Sequence, residues 1–502
     1  MLAGALLTSC DMNEAPDGSI NLGDGCQSMA DVHALRNGIY SVLRGRSGSY
    51  NTLSDLQTDL FIGTMNSGNS YLSFLSGQIL SNDGEVEGIW SGLYSGLMQV
   101  NYFLEKVAEY EENNKETLTE AEHSTIQRSL AEAKFMRAYF NSLLVYYWCG
   151  NYEASTANNP ATGIPLVLTY QPGSDRSNYP GRSTLAEAYT QIEKDLAEAL
   201  SGLEKYEQTD KSALAAGCGY LNSYAVKALK ARVALWKGDY ATAMNTSRDI
   251  IDSGEFPLCS IDDYANMWKY DTGSELIFQP YGDADQKGSV PSLGGIFNSS
   301  SPDDVKWTAT ANAYNSYQAN DIRRSTFFTT KDVNFSGQNV TALRFNKFPG
   351  NATFNSGNTN AWRNLPKPFR TSEQYLIFAE AAQAQNQESL ASDYLNELIS
   401  NRVRGYEPVT MSGNALRSQI RAQWTKECIG EGFRLGQLRR WNLASSRSSA
   451  YPESLRDMRG FVLELGISTY GYAAGSNFYV WPIPSSEMLT NPQLSGQQNP
   501  GY

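Results

Sequence analysis

Histidine is almost missing from this chain: its 502 residues hold two, His33 and His123. Neither stands near a serine or cysteine in a nucleophile motif, and both fall at helix-surface positions. A histidine-based triad and a polyhistidine metal site are therefore not expected. Cysteine is equally uninformative. Cys10, Cys26, Cys149, Cys218, Cys259 and Cys428 form no C-x-x-C pair and have no histidine at metal-ligand spacing. With Cys10 set aside the remainder is odd, which rules out complete pairing, and most are expected as buried thiols. Lys/Arg blocks are missing too, and the net charge is −13, so no basic face for nucleic acid is expected. No later run of about 18 apolar residues reads as a membrane-spanning helix. The G-x-S-x-G, H-E-x-x-H, Walker A and complete G-x-G-x-x-G motifs do not occur, and Gly217-Cys218-Gly219 is only a fragment of the last. Two carboxylates would suffice for glycoside hydrolysis, but nothing singles out a pair among the 53 acidic residues. No enzyme activity, cofactor or metal site is expected from these motifs.

Aromatic residues are what the chain has in quantity: 12% of the total, with 30 Tyr and 9 Trp. Tyrosine and tryptophan join a flat apolar face to a polar edge, which suits wet binding surfaces, although most in a chain this long pack in its core.

Helical periodicity organises the sequence. In residues 224–251, Val226, Leu229, Val233 and Trp236 form one apolar stripe, and Ala225, Ala228, Ala231 and Ala234 leave room for a close neighbour. Gly238-Asp239 interrupts the pattern before a second periodic segment, giving a helical hairpin of tetratricopeptide-like spacing that needs neighbours to cover its apolar face. Similar segments occupy residues 31–43, 53–62, 89–110, 129–148, 184–203, 369–402 and 418–441. The spacing predicts a mainly α fold: a helical-hairpin scaffold over about 89–255 and 369–445, an irregular loop-rich region with minor β over about 256–368, and an extended segment 446–502. Two stretches lack periodicity but carry aromatics, which favours surface display. Residues 63–87 hold Tyr71 and Phe74, and residues 256–368 hold Tyr281, Trp307, Tyr314 and Tyr317 among others. Glu427, Glu431, Arg434, Arg439 and Arg440 are expected as a structural ion-pair network.

Residues 1–10, M-L-A-G-A-L-L-T-S-C, are an apolar run ending in a lipobox-like L-T-S-C, with Cys10 as the acylated residue after cleavage. The run is short and lacks a basic n-region, so the true signal is expected to start further upstream. Residues 11–25 then read as a flexible tether.

Several motifs in order resemble the SusD/RagB family of outer-membrane nutrient-binding lipoproteins. They are A-E-A-K-F-M-R-A-Y-F at 131–140, Y-L-I-F-A-E-A-A at 375–382, E-C-I-G-E-G-F-R-L with L-R-R-W at 427–441, and I-P-S-S-E-M-L-T-N-P-Q-L-S-G-Q-Q-N-P-G-Y at 483–502. The resemblance implies one SusD-like domain over 26–502 on the surface of the outer membrane. It further implies a lipid anchor at Cys10 and delivery of oligomeric nutrients to a SusC-type TonB-dependent transporter. The ligand is expected to be a glycan. L-S-D-L-Q-T-D-L-F at 53–61 is closer to the RagB branch and keeps a peptide ligand open. The family's motifs are scaffold motifs, so no binding residue is carried over. From chemistry alone, sugar C–H faces pack on aromatic rings and sugar hydroxyls meet amides, which makes Asn69, Tyr71, Phe74, Trp307, Tyr314 and Tyr317 the expected ligand contacts.

Overall fold

The computed structural model describes residues 25–171, 173, 175–300, 303–464 and 471–502. The expectations for residues 1–10 and for nearly all of the tether lie outside these residues. Helix α1 (Met29–Arg46) and α2 (Ser49–Leu56) lead into β1 (Phe61–Gly63), α3 (Leu72–Ser76), α4 (Gly84–Asn114) and α5 (Glu120–Trp148). The row continues with α6 (Leu185–Glu207), α7 (Ser223–Lys237) and α8 (Tyr240–Asp252). Helices α4 to α8 pack consecutively, each on its predecessor. After the irregular region, α12 (Thr371–Ala384) returns to lie against α8 and carries α13 (Glu388–Ser400) and α14 (Gly413–Cys428), with α15 (Arg434–Arg440) packed on α2.

Local chemistry sets these ends. Thr119 and Thr184 begin α5 and α6 with reciprocal capping boxes to Glu122 and Glu187, which satisfies orphan N–H groups at the first turn. Between α7 and α8 the predicted turn at Gly238-Asp239 is present, with Asp239 capping α8 through Thr242.

The region between α8 and α12 contains short elements: α9 (Tyr264–Lys269), β2 (Leu276–Phe278), β3 (Trp307–Ala309), α10 (Ala311–Asn315), α11 (Ile322–Phe327), the hairpin β4 (Phe328–Phe335) and β5 (Gln338–Phe345), and β6 (Phe369–Arg370). All its pairings are antiparallel and two-stranded: β1 with β3, β2 with β6, β4 with β5. The architecture is thus mainly α with minor β. The sequence expectation of one helix over 53–62 is corrected: α2 stops at Leu56, and the apolar Phe61-Ile62-Gly63 pairs with β3 instead. A Thr58 hydroxyl bond to the Asp55 carbonyl (2.7 Å) competes with helix continuation at that point.

Two carboxylate devices lock distant segments together. Asp55 of α2, buried, accepts N–H bonds from Gly430 (2.9 Å), Gly432 (3.1 Å) and Arg434 (3.2 Å). Gly430 and Gly432 both have φ near +80°, a conformation that favours glycine and turns the amides toward that carboxylate. Deeper in, Glu427 meets Arg402 (3.0 Å), Arg370 (2.9 Å) and Arg323 (3.3 Å), while Glu275 meets Arg402 (2.7 Å) and Arg370 (3.0 Å). The cluster expected among Glu427, Glu431, Arg434, Arg439 and Arg440 is corrected: the two glutamates are ion-paired, but with cations of other elements. Arg434 pairs with Asp59 and Arg440 with Glu380, and Arg439 donates to the carbonyls of Tyr479 and Tyr146. None of these three arginines pairs with Glu427 or Glu431, because the turn at Gly430–Gly432 points the two glutamates inward, toward cations of other elements.

Candidate functional site

One face of α1 carries Asn37, Tyr40, Ser41 and Arg44 at helical i, i+3, i+4, i+7 spacing. Opposite it stand two short loops, one holding Cys218, Gly219 and Tyr220 just before α7, the other running from Tyr281 to Ser289. Together they enclose an open cleft of about 860 Å³, within the range of small-molecule sites.

The walls are fixed by hydrogen bonds between them. The Tyr40 hydroxyl accepts the Leu221 N–H (3.0 Å), which ties the first loop to α1. Arg44 ties the second: Nη1 donates to the Tyr281 carbonyl (2.6 Å) and Gln286 Oε1 (2.7 Å), and Nη2 donates to Ser289 Oγ (2.7 Å). Gly219 has a steric role, since a Cβ there would come within 2.7 Å of the Tyr281 Cβ. The two loops touch because position 219 has no side chain.

Three tyrosines line the cleft. Tyr220 stands edge-on to Tyr40 with centroids 5.6 Å apart. The Arg36 guanidinium lies 4.4 Å from the Tyr220 centroid and is itself held by Glu132 through bonds of 2.6 and 2.7 Å. Tyr220 and Tyr281 remain 43% and 58% exposed, so ring surface is open to the cleft. Burial, assisted by Glu132, pushes the Tyr40 phenol well above its ordinary value. Tyr281 donates to Asp283 (2.8 Å), a bond that raises its phenol and lowers the Asp283 carboxyl. Burial lowers the Arg44 guanidinium, against the opposing influence of Asp283. Exposed Asn37, Ser41, Asp285, Gln286 and Ser289 supply donors and acceptors around the rings. Such an arrangement sets apolar ring faces beside hydrogen-bond donors and acceptors. Among the described residues no group of three or more His, Cys, Asp or Glu is placed to hold a metal.

Of the six contacts expected from sequence, three are core side chains. Phe74 is fully buried and meets Trp481 edge-on at 6.1 Å. Trp307 is fully buried in β3, opposite Gly63. Tyr317 is 3% exposed, its ring against Phe328 (5.2 Å) and its hydroxyl donating to the Lys426 carbonyl (2.9 Å). None of the three has a ring face open to solvent. Asn69 is exposed, and Tyr71 and Tyr314 are half-buried. These three do not line the tyrosine cleft. Sequence reasoning missed Tyr40, because it sits in a periodic helix, and Tyr220, because its loop was weighed only as a phosphate-binding fragment. The criterion applied elsewhere, an aromatic beside glycine in a non-periodic stretch, finds Tyr220.

A second open cleft of about 640 Å³, lined by Ile62, Arg447–Ala450, Arg459 and Glu464, has no aromatic side chain in its wall. The helical scaffold carries one cleft whose wall combines exposed tyrosine rings with hydroxyl, amide and carboxylate groups. Against family models, residues 264–502 match the SusD family, and residues 24–234 match a family described as starch-binding associating with outer membrane. The chain belongs to the SusD/RagB family. Similar solved structures include a SusD superfamily protein from Bacteroides thetaiotaomicron (23% identity, TM-score 0.74, 94% of this chain and 100% of that one). A putative sugar binding protein from Bacteroides vulgatus matches at 22% identity and TM-score 0.73, over 95% and 99% of the two chains. Surface glycan-binding protein A from Bacteroides fluxus matches at 22% and 0.67, over 95% and 100%. At these identities the structures establish the shared fold. A comparison with curated proteins finds no match.

Proposed function

We propose that this protein captures an oligosaccharide in the cleft formed by Tyr40, Tyr220 and Tyr281, without catalysis, at the outer membrane. The observation that carries the reading is the pair of exposed tyrosine rings, Tyr220 packed on the buried Arg36 and Tyr281 tied through its carbonyl to Arg44, ringed by hydroxyl, amide and carboxylate groups. The glycan-related descriptions of the family and of solved relatives support the ligand class, and the outer-membrane phrase supports the place. Cys10 anchors the body through its acyl chains, and the captured glycan passes to a SusC-type TonB-dependent transporter. Asn69, Tyr71 and Tyr314 are proposed as further contacts outside the cleft.

Calorimetric titration against plant, host and microbial oligosaccharides and a peptide digest tests the reading. The double variant Tyr220→Ala/Tyr281→Ala should weaken glycan binding by on the order of 2 kcal/mol, about thirtyfold, as for buried aromatic anchors. A bound glycan should also slow peptide-resolved thiol labelling of Cys218, which lines the cleft. Unchanged affinity in the double variant removes the cleft from the function. Binding of peptides alone makes the ligand a peptide.

A further inference from the structure

A third open space, about 530 Å³, lies between α10, α11 and the β4–β5 hairpin and shares no lining residue with the tyrosine cleft. Its wall holds Tyr314, Arg324, Phe328, Thr329 and Thr330, and its one charged lining group is Arg324. That arginine is posed. Its Nη2 donates to the Tyr314 hydroxyl at 3.0 Å, and its guanidinium carbon lies 4.9 Å from the Tyr314 centroid. Phe328 braces the ring edge-on at 5.4 Å and 90°. Among the described residues no carboxylate lies within ion-pair distance of Arg324. The nearest in sequence, Asp321, is taken by the Nε and Nη2 groups of Arg323 (2.9 and 2.8 Å).

A guanidinium left without a counter-ion, oriented by a phenol and open to a cavity, is suited to a planar anion, which it can meet with two parallel N–H bonds. The Tyr314 hydroxyl accepts from Arg324, so its own proton is free for the same anion. Exposed Thr329 and Thr330 add hydroxyls that both donate and accept, as sugar hydroxyls require. Phe328 and Leu343 supply apolar wall. A peptide fits less well, because its amino end and amide donors would find no carboxylate in this lining. We infer that this space is a second sugar subsite, one that reads the carboxylate or sulfate of an acidic sugar unit through Arg324 and Tyr314. The subsite stands independently of the tyrosine cleft.

The test is titration of the whole protein with oligogalacturonate, its fully methyl-esterified form, a sulfated chondroitin oligosaccharide, and one peptide with a free or amidated C-terminus. Esterification removes charge while keeping linkage and length. The free acid, the sulfated sugar or both should bind about tenfold or more tighter than the ester at low salt, and the advantage should shrink as salt rises. The two sugar arms say which anion is preferred. Arg324→Gln should abolish the preference, and Arg324→Lys should keep part of it. Tyr314→Phe should weaken it with melting temperature unchanged. Equal binding of acid and ester, with no gain for the sulfated sugar, overturns the inference. So does a preference that survives Arg324→Gln, or an Arg324-dependent signal from the peptide alone or from no probe. The Tyr220→Ala/Tyr281→Ala variant should retain the acid preference, so failure of the tyrosine cleft is read separately.

Discussion

Asp55 shows how much one side chain holds. Three amides from the Gly430–Arg434 turn converge on its buried carboxylate, 375 to 379 residues away in sequence. Asp55→Ala would leave three buried donors unpaired, each worth about 1–3 kcal/mol, so a loss of about 3 kcal/mol or more is expected in urea denaturation. Burial outweighs those three bonds and raises its carboxyl to about 7. A carboxyl raised in the folded state binds a proton that the unfolded chain has already released. Its contribution to stability is therefore complete below about pH 4 and is lost as pH climbs toward about 7. Urea midpoints measured at about pH 5 and about pH 8 should fall with pH in the parent more than in Asp55→Asn, which cannot titrate. Gly219 belongs to the same scale. Gly219→Ala should leave the melting temperature nearly unchanged yet weaken glycan binding, because the new methyl displaces Tyr281. Unaltered affinity would show that the two loops need not touch. None of this was legible in the sequence. An aromatic in a turn-rich stretch was a fair sign of display at Tyr281, but Phe74 and Trp307 satisfy the same sign from inside the core. Burial depends on which distant surface closes over the ring, and local pattern does not carry that.

At the scale of elements the sequence was far more informative, since helices are written in local periodicity and in their caps. The hairpin α7–α8, the pair α12–α13 and the long α4 and α5 fall where apolar spacing places them. Boundaries moved where capping decides: α5 begins at Glu120 because Thr119 and Glu122 close a capping box, well before the first strongly apolar turn. Thr184→Ala, which opens the equivalent box on α6, should lower stability by about 1 kcal/mol in thermal or urea unfolding. Pairings between elements were illegible. The sequence placed Glu427 in a charged cluster, yet its partners come from Arg402, Arg370 and Arg323, the last 104 residues away. Burial would raise the Glu427 carboxyl, but these three guanidinium groups overcome it and hold the carboxyl well below its usual range. Glu427→Gln should cost about 3–5 kcal/mol, because it strands buried positive charge. A smaller loss would mean that water enters to solvate the arginines.

For the whole molecule, motif order gave the family and with it the helical frame, while the proposed ligand cleft lay outside every motif. The anchor is a prediction at this scale: Cys10→Ser should move the protein from the membrane fraction to the soluble fraction, and continued membrane attachment would refute acylation there. The Arg44–Tyr281 bond joins residues 237 positions apart, and with the Tyr40–Leu221 bond it means that the cleft is assembled by tertiary closure, with no continuous segment containing it. Its rim nevertheless consists of two brief loops seated on a frame whose stability resides elsewhere. Those loops are therefore natural graft points: transplanting them from a relative should exchange the menu of sugars while the host keeps its shape, so ligand choice in such a protein can drift without the architecture having to follow.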